Sequence, residues 1–281
     1  MPKPEWLRIR NTNSPNRDAV EGILKHLNLN TVCAEANCPN YAECFSRKTA
    51  TFMIMGTNCT RNCRFCNVRH DKPNTLDKNE PQNVADAVAL LNLKYVVITS
   101  VTRDDLADGG AAFFSETITA IRKTTPQTLI EVLIPDLQGN LAALKTICDA
   151  GPDVISHNME TIRRLYDTVR SGSKYDRSLE IVKNIKQIAP SVRSKSGIMV
   201  GLGETEAEVL QLMDDLRQND CEFITIGQYL APTKGHIAVF EYVNPSIFEK
   251  YANAARHKGF AFVASAPLVR SSYNAAEAVI N

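Results

Sequence analysis

The residues best suited to chemistry in this sequence are the thiols of Cys59, Cys63 and Cys66, set at C-x3-C-x2-C spacing with an aromatic residue, Phe65, before the last. Three cysteines this close can hold three irons of a four-iron cluster, whereas complete thiolate ligation needs four. An iron without a protein ligand is an open coordination position, by the logic that separates catalytic from structural zinc. A small molecule could be gripped and broken there. The competing reading is structural zinc, but no fourth Cys or His stands at finger-like spacing.

A second trio, Cys33, Cys38 and Cys44, lies upstream at C-x4-C-x5-C spacing. Six of the eight cysteines therefore fall between Cys33 and Cys66, a crowding that in a reduced compartment points to metal rather than disulfides. Cys148 shares a helical apolar face with Leu141, Leu144 and Ile147, and Cys221 precedes the apolar stretch Phe223–Ile226. Both read as buried core thiols.

These groups need elements to position them. Apolar runs at Thr51–Met55, Tyr95–Val101, Thr128–Ile134, Val154–Met159, Ser196–Val200 and Phe223–Ile226 read as strands. Amphipathic helices are expected between them at Pro81–Leu91, Ala111–Lys123, Asn140–Cys148, Ile162–Val169, Ser178–Ile188 and Glu204–Gln218. Another is expected near Asp18–Leu27 and a last one near Pro245–His257. Continuous apolar strands alternating with helices predict an α/β fold, a partial (β/α)6 TIM-like barrel. In such barrels the chemistry gathers at the carboxyl ends of the strands. Here these ends carry the cysteine loop, Arg103–Gly110, His157–Glu160, Gly201–Thr205 and Gly227–Tyr229. Residues 1–50 form an N-terminal extension, 51–230 the barrel and 231–281 a C-terminal extension, and both extensions are expected to cover the barrel mouth.

With 281 residues, 44% hydrophobic and 22% charged, the chain can bury a sizeable core. A net charge of +1 gives no field for nucleic acid or an anionic membrane surface. No apolar run reaches transmembrane length, and the first residues lack the hydrophobic centre of a signal peptide. A cytoplasmic protein is expected.

The C-x3-C-x2-C loop after a first strand, with Phe65, resembles the radical S-adenosylmethionine (SAM) enzymes. Adding the upstream trio and Arg270-Ser271-Ser272-Tyr273 narrows the resemblance to the lipoyl synthases. Cys38-Pro39-Asn40, Arg103-Asp104-Asp105-Leu106, Asp108-Gly109-Gly110-Ala111, His157-Asn158, Lys195-Ser196-Gly197 and Ile226-Gly227-Gln228-Tyr229-Leu230 extend it over nearly the whole chain. The sequence departs from that family at Tyr41-Ala42 (usually Ile-Gly), Phe45 (Trp), Ser171 (Pro) and Asn274 (His).

The resemblance implies insertion of two sulfur atoms at C6 and C8 of an octanoyl chain carried on a lysine. These carbons are unactivated, so no side-chain base can take their hydrogens near neutral pH, and radical abstraction is required. By resemblance the catalytic machinery is two [4Fe-4S] clusters. Cys59, Cys63 and Cys66 hold the one that binds SAM. Cys33, Cys38, Cys44 and a serine hold an auxiliary one that donates sulfur. Ser272 is favoured over Ser271, although spacing cannot decide between them. Phe65, Gly109, Gly110, Asn158 and Glu160 are the implied SAM contacts. The glycines read equally as a tight turn before a helix, and Asn158 and Glu160 as a strand-end cap or surface pair. His157 reads as structural. Arg103, Lys195 and Arg270 read either as solvated surface charges or as contacts to an acidic lipoyl domain or the SAM carboxylate.

Implied partners are octanoylated lipoyl domains or the glycine-cleavage H protein, an electron donor such as ferredoxin or flavodoxin, and an iron–sulfur carrier. A monomer without nucleic-acid or membrane partners is expected. Biotin synthase does not explain an N-terminal trio, and a tRNA methylthiotransferase would carry a basic RNA-binding appendage. A non-catalytic iron–sulfur carrier leaves the polar strand ends unexplained.

Overall fold

The computed structural model describes residues 2–8 and 14–280, with the side chain of Ile280 left aside. The turn-rich stretch 9–13 and the two terminal residues, all within the expected extensions, lie outside the described residues. The described chain forms two compact units, one of residues 14–61 and 67–155 and the other of 2–8, 62–66 and 156–280.

The first unit opens with three helices: α1 (Pro15–His26), α2 (Val32–Glu35) and α3 (Tyr41–Ser46). Helix α1 begins three residues before its expected start because Ser14 caps it, accepting from the Arg17 N–H, with Pro15 in the first turn. Next come β1 (Thr51–Ile54), the short parallel pair β2 (Asn58–Cys59) and β3 (Arg69–His70), and α4 (Glu80–Leu90). They are followed by β4 (Tyr95–Ser100), α5 (Ala111–Thr124), β5 (Leu129–Leu133) and α6 (Leu141–Asp149). Strands pair in the order β1-β4-β5, all parallel. Every residue of β1 is buried, as an apolar run covered on both faces should be.

Strand β6 (Val154–Ser156) spans the join between the units. The second unit then holds α7 (Tyr166–Val169), α8 (Tyr175–Ile188), β7 (Arg193–Val200), α9 (Glu206–Gln218) and β8 (Phe223–Gln228). It continues with α10 (Pro245–His257), β9 (Phe262–Ser265) and α11 (Glu277–Ile280). Its strands pair β7-β8-β9, again parallel. A core of Met159, Val182, Leu212, Met213, Ile224, Ile226 and Phe248 lies between these strands and their helices. Thr205 and Glu208 close a capping box on α9. Among the described strands β1 neighbours only β4, apart from an isolated bridge of Phe52 to Thr31, and β9 neighbours only β8, so the sheet is open and the barrel partial.

Three differences from the sequence expectation have local causes. A seventh strand of the sheet, β9, follows the last expected helix, where Phe260–Ala264 is an apolar run. The helix expected at Ile162–Val169 is one 3-10 turn (Arg163–Leu165) followed by one α turn, because Arg170 leaves helical geometry and turns its guanidinium inward. Of the upstream cysteines, Cys33 and Cys44 ride on two short helices, the first capped by the Thr31 hydroxyl, and Cys38 lies in the turn between them.

Candidate functional site

In the first unit, the path from β1 to the cysteines is fixed residue by residue. Met55 and Gly56 both take positive φ (68° and 92°), turning the chain sharply as it leaves the strand. A side chain at Gly56 would run into Asn74, whose Oδ1 accepts from the Thr57 and Asn58 N–H groups at 3.0 and 3.2 Å. The Met55 N–H donates to the Glu80 carboxylate at 2.8 Å. Burial, opposed by that hydrogen bond, pushes the Glu80 carboxyl up to about 7. Its folded pKa exceeds the ordinary value of 4.5, so between these pH values the folded chain keeps a proton that the unfolded chain releases. Stability from this group is complete below the lower value and falls, by about 3 kcal/mol, as pH rises through the window. E80Q, which keeps an acceptor for Met55, is expected to remove that slope. Denaturant midpoints measured from pH 4 to 8 check this, and identical slopes in both proteins would refute it.

Cys59 ends β2, and its Sγ accepts from the Arg61 and Thr102 N–H groups at 3.4 and 3.3 Å. The Thr60 N–H and hydroxyl both donate to the Thr102 carbonyl at 3.0 Å. Arg61 is gripped by Asp104 at 2.6 and 2.8 Å and by Asp136 at 2.7 Å. Burial acts against its charge, but the two carboxylates overcome it and raise the pKa above the ordinary guanidinium value. Arg61 therefore moors the cysteine loop to the residues following β4 and β5. Its position inside the C-x3-C-x2-C motif was the signal that could have singled it out.

The other residues after β4 serve structure. Gly109 and Gly110 have φ of +61° and +89°, and a side chain at Gly110 would collide with the Met55 sulfur. Asp108 accepts from the Gly110 and Ala112 N–H groups and starts α5. The turn before α5 accounts for the positive φ of both glycines. Arg103 is 4% exposed, held by both oxygens of Asp105 at 2.8 Å. Lys195, in the second unit, is fully buried. Neither is the solvated surface charge that sequence allowed, and neither can reach a docked protein. Glu131 accepts from the Tyr95 hydroxyl at 2.6 Å.

The upstream trio also lies in the first unit. Cys33 is buried in α2, Cys44 lies in α3, and the Cys38 N–H closes a turn onto the Cys33 carbonyl at 3.0 Å. Burial pushes the Cys33 thiol up to about 11 and the Cys44 thiol to about 12. After burial, the charges of Cys33 and Cys38 act on Cys44 in the same direction, so the three sulfurs lie within electrostatic reach of one another. A trio of sulfur donors, Cys33 buried and the other two half-buried, that repel one another as thiolates fits a cationic, thiophilic group. Helix α3 is held to α1 by the Tyr41 hydroxyl on Glu21 (2.8 Å), and Tyr41 stacks on Phe45 at 4.2 Å. Those aromatic departures form one packed pair. Asn67, the residue after Cys66, donates to the Glu35 carbonyl at the end of α2 at 2.8 Å.

In the second unit, residues 62–66 are held from two sides. The Arg64 N–H donates to the Val169 carbonyl at 3.0 Å, and the Ser171 hydroxyl donates to the Asn62 carbonyl at 2.6 Å. Serine at 171, where proline is usual, thus gains a hydroxyl contact to the loop. On the other side the Ile237 N–H donates to the Arg64 carbonyl at 3.1 Å, and His236 Nε2 lies 3.1 Å from the Cys66 carbonyl. Phe65 packs beside Tyr229, Val169 and Leu202. His236 carried no motif signal.

Asn158 Nδ2 donates to Glu160 Oε1 and Ser271 Oγ, both at 3.0 Å. Arg170 Nη1 donates to the Asn158 carbonyl at 2.6 Å. Asn158 Oδ1 is buried with no hydrogen-bond partner, an orphan acceptor of the kind a ligand satisfies. Burial raises the Glu160 pKa, against Arg170, Asn158 and Arg270, which lower it. Gly227 permits the Arg270–Tyr273 segment to approach, since a side chain there would strike the Val269 carbonyl. His157 is buried against the Ser178 hydroxyl at 2.9 Å, as its structural reading holds. Gln228 is fully spent on four backbone groups, at Val200, Tyr229, Glu241 and Val243. Cys148 and Cys221 are buried thiols.

Comparison with known proteins places these features in context. Residues 53–216 match the radical SAM superfamily. The chain is 56% identical over 277 residues to a lipoyl synthase of Alkaliphilus metalliredigens, covering 99% of this chain and 96% of that one. It is 54% identical over 275 residues to a lipoyl synthase of Caldicellulosiruptor saccharolyticus, covering 98% and 96%. The crystal structure of methylornithine synthase superposes with a TM-score of 0.54 at 14% identity, over 93% of this chain and 86% of that one, a likeness of fold.

Proposed function

Because this chain belongs to the lipoyl synthase family of the radical SAM superfamily, we propose that it inserts sulfur at C6 and C8 of a protein-bound octanoyl-lysine with two cysteine-held clusters. As a member of that family it is a sulfurtransferase that uses a four-iron cluster and SAM and acts on octanoylated lipoyl domains. Cys59, Cys63 and Cys66 hold the first cluster. Cys33, Cys38, Cys44 and Ser272 hold the second. Bound at these residues, the clusters and SAM supply a reducing electron, a 5′-deoxyadenosyl radical and the sulfur.

The residues of the chain provide the setting. Arg61 and the contacts at Val169, Ser171 and Ile237 fix the backbone that presents the three thiols, a preorganisation without which reacting atoms are misplaced. Asn158 and Glu160 take the ribose hydroxyls, which the orphan Oδ1 of Asn158 supports. Gly109 and Gly110 border the methionine end, and Phe65 the adenine. The Ser271 hydroxyl is already engaged by Asn158, which favours Ser272 as the oxygen ligand. A hard oxygen among three thiolates is the weaker iron donor and the one suited to release.

The observation that carries this reading is the hydrogen bond from Asn67 to Glu35. Asn67, the residue after Cys66, is bonded to the end of the helix that bears Cys33, and Cys59 lies in the same unit as the upstream trio. Residues 1–50 and 231–281 accordingly act as the segments that furnish the second cluster to the barrel of 51–230. An electron donor such as ferredoxin or flavodoxin and an iron–sulfur carrier are its further partners, and the cytoplasm is the compartment. No described helix is long and apolar enough to cross a membrane.

Anaerobically reconstituted protein, given SAM, reductant and an octanoylated lipoyl domain or H protein, is expected to yield a domain heavier by two sulfurs by intact mass. An acyl chain unchanged in mass, with SAM cleaved, would defeat the proposal.

A further inference from the structure

We propose that His236 is a positioning residue that fixes the Cys66 carbonyl and thereby the presentation of the Cys63–Cys66 turn; this rests on Cys59, Cys63 and Cys66 as ligands of the first cluster. His236 Nε2 lies 3.1 Å from the Cys66 carbonyl oxygen, which can only accept. The hydrogen must therefore sit on Nε2. In the neutral ring Nδ1 is then an acceptor, and the Thr233 hydroxyl stands 2.9 Å from it. Thr233 sets the tautomer, as an outer partner does for a metal-bound imidazole.

The neighbourhood makes this contact stiff. Thr233 Oγ1 also accepts from the Gly235 N–H at 3.2 Å, closing the tight turn that aims the ring. The next residue, Ile237, donates its N–H to Arg64 at 3.1 Å and accepts at its carbonyl from the buried Tyr229 hydroxyl at 2.7 Å. Within the cysteine loop the Cys66 N–H returns to the Cys63 carbonyl at 3.0 Å. Cys66 is thus held at its N–H by Cys63 and at its carbonyl by His236. Without the imidazole, the Cys66 carbonyl loses this donor, and with it one restraint on how the Cys63–Cys66 turn is presented.

The substitutions His236→Gln, His236→Asn and His236→Ala separate the two halves of the ring. Glutamine places an amide N–H near the Nε2 position, asparagine offers a group only near Nδ1, and alanine offers neither. In the reconstituted full-length protein, the Ala and Asn variants are expected to lose the first cluster's iron to a chelator about tenfold faster than wild type and to alter its EPR response to SAM, with Gln within about twofold of wild type. In a Cys59→Ala, Cys63→Ala, Cys66→Ala background, where only the second cluster can load, His236→Ala is expected to change nothing. Melting of the iron-free proteins separates a general loss of stability from a local one. Wild-type behaviour of the Ala variant, rescue by Asn as complete as by Gln, or failure of Gln to rescue would each overturn the proposal. Wild-type protein that loads iron only on the upstream trio would overturn the ligand assignment beneath it.

Discussion

Replacing Ser272 with alanine is expected to stop formation of the thiolated acyl chain while 5′-deoxyadenosine continues to form from SAM. The two activities separate because the residues assigned to them are different. In the proposed assignment Cys59, Cys63, Cys66, Asn158 and Glu160 serve SAM, and Ser272 joins only the upstream trio. Sulfur insertion is expected to fall at least about a hundredfold, the upper end of what a lost partner costs a metal site. Cysteine at 272 is expected to fail as well, since a thiolate would hold iron more firmly than the hydroxyl it replaces. Ser271→Ala makes the informative contrast. That hydroxyl accepts from Asn158 Nδ2, so its loss is expected to weaken SAM binding rather than to block insertion selectively. Mass analysis of the lipoyl domain beside chromatography of 5′-deoxyadenosine reads both outcomes. Normal product from the Ser272→Ala protein would remove this residue from the mechanism.

Arg61→Ala is expected to cost about 3–5 kcal/mol of folding stability, the scale for breaking a buried ion pair by removing one partner. Arg61 has 7% of its side chain exposed and Asp136 none. Losing the guanidinium removes from the fully buried Asp136 carboxylate the cation that faces it at 2.7 Å. Asp104 is 30% exposed and can turn to water, so most of the cost arises at Asp136. Lysine should recover only part, because one ammonium cannot reproduce the fork that spans both carboxylates. Denaturant unfolding of the iron-free chain isolates this term from any ligand contribution. A loss under about 1 kcal/mol would mean that the loop is not moored through this residue.

Both expectations come from residues that sequence reading treated unequally. Ser272 belongs to Arg270–Tyr273, and its proposed role comes from the resemblance which that motif carries. Arg61 stood inside the cysteine motif yet looked like any surface arginine, because its partners Asp104 and Asp136 lie 43 and 75 residues downstream. Arg103 and Lys195 show the same blind spot. A charge can be buried only where the fold supplies its counter-groups, and charge pairing carries no sequence period. His236 escaped notice for a related reason: its bond to Cys66 spans 170 residues.

The sequence by itself determined the parallel α/β architecture, through apolar runs alternating with amphipathic helices, and the chemistry, through two cysteine trios whose sulfurs are close along the chain. Both are local properties: strand and helix periods repeat over a few residues, and thiols a few residues apart cannot stray far from one another. The tertiary structure alone decided which polar residues hold the cysteine loop, that Gln228 serves the backbone, and that Ser271 is engaged by Asn158. Such contacts depend on distances across the fold and on the need of every buried polar group for a partner, and neither is written in the order of residues.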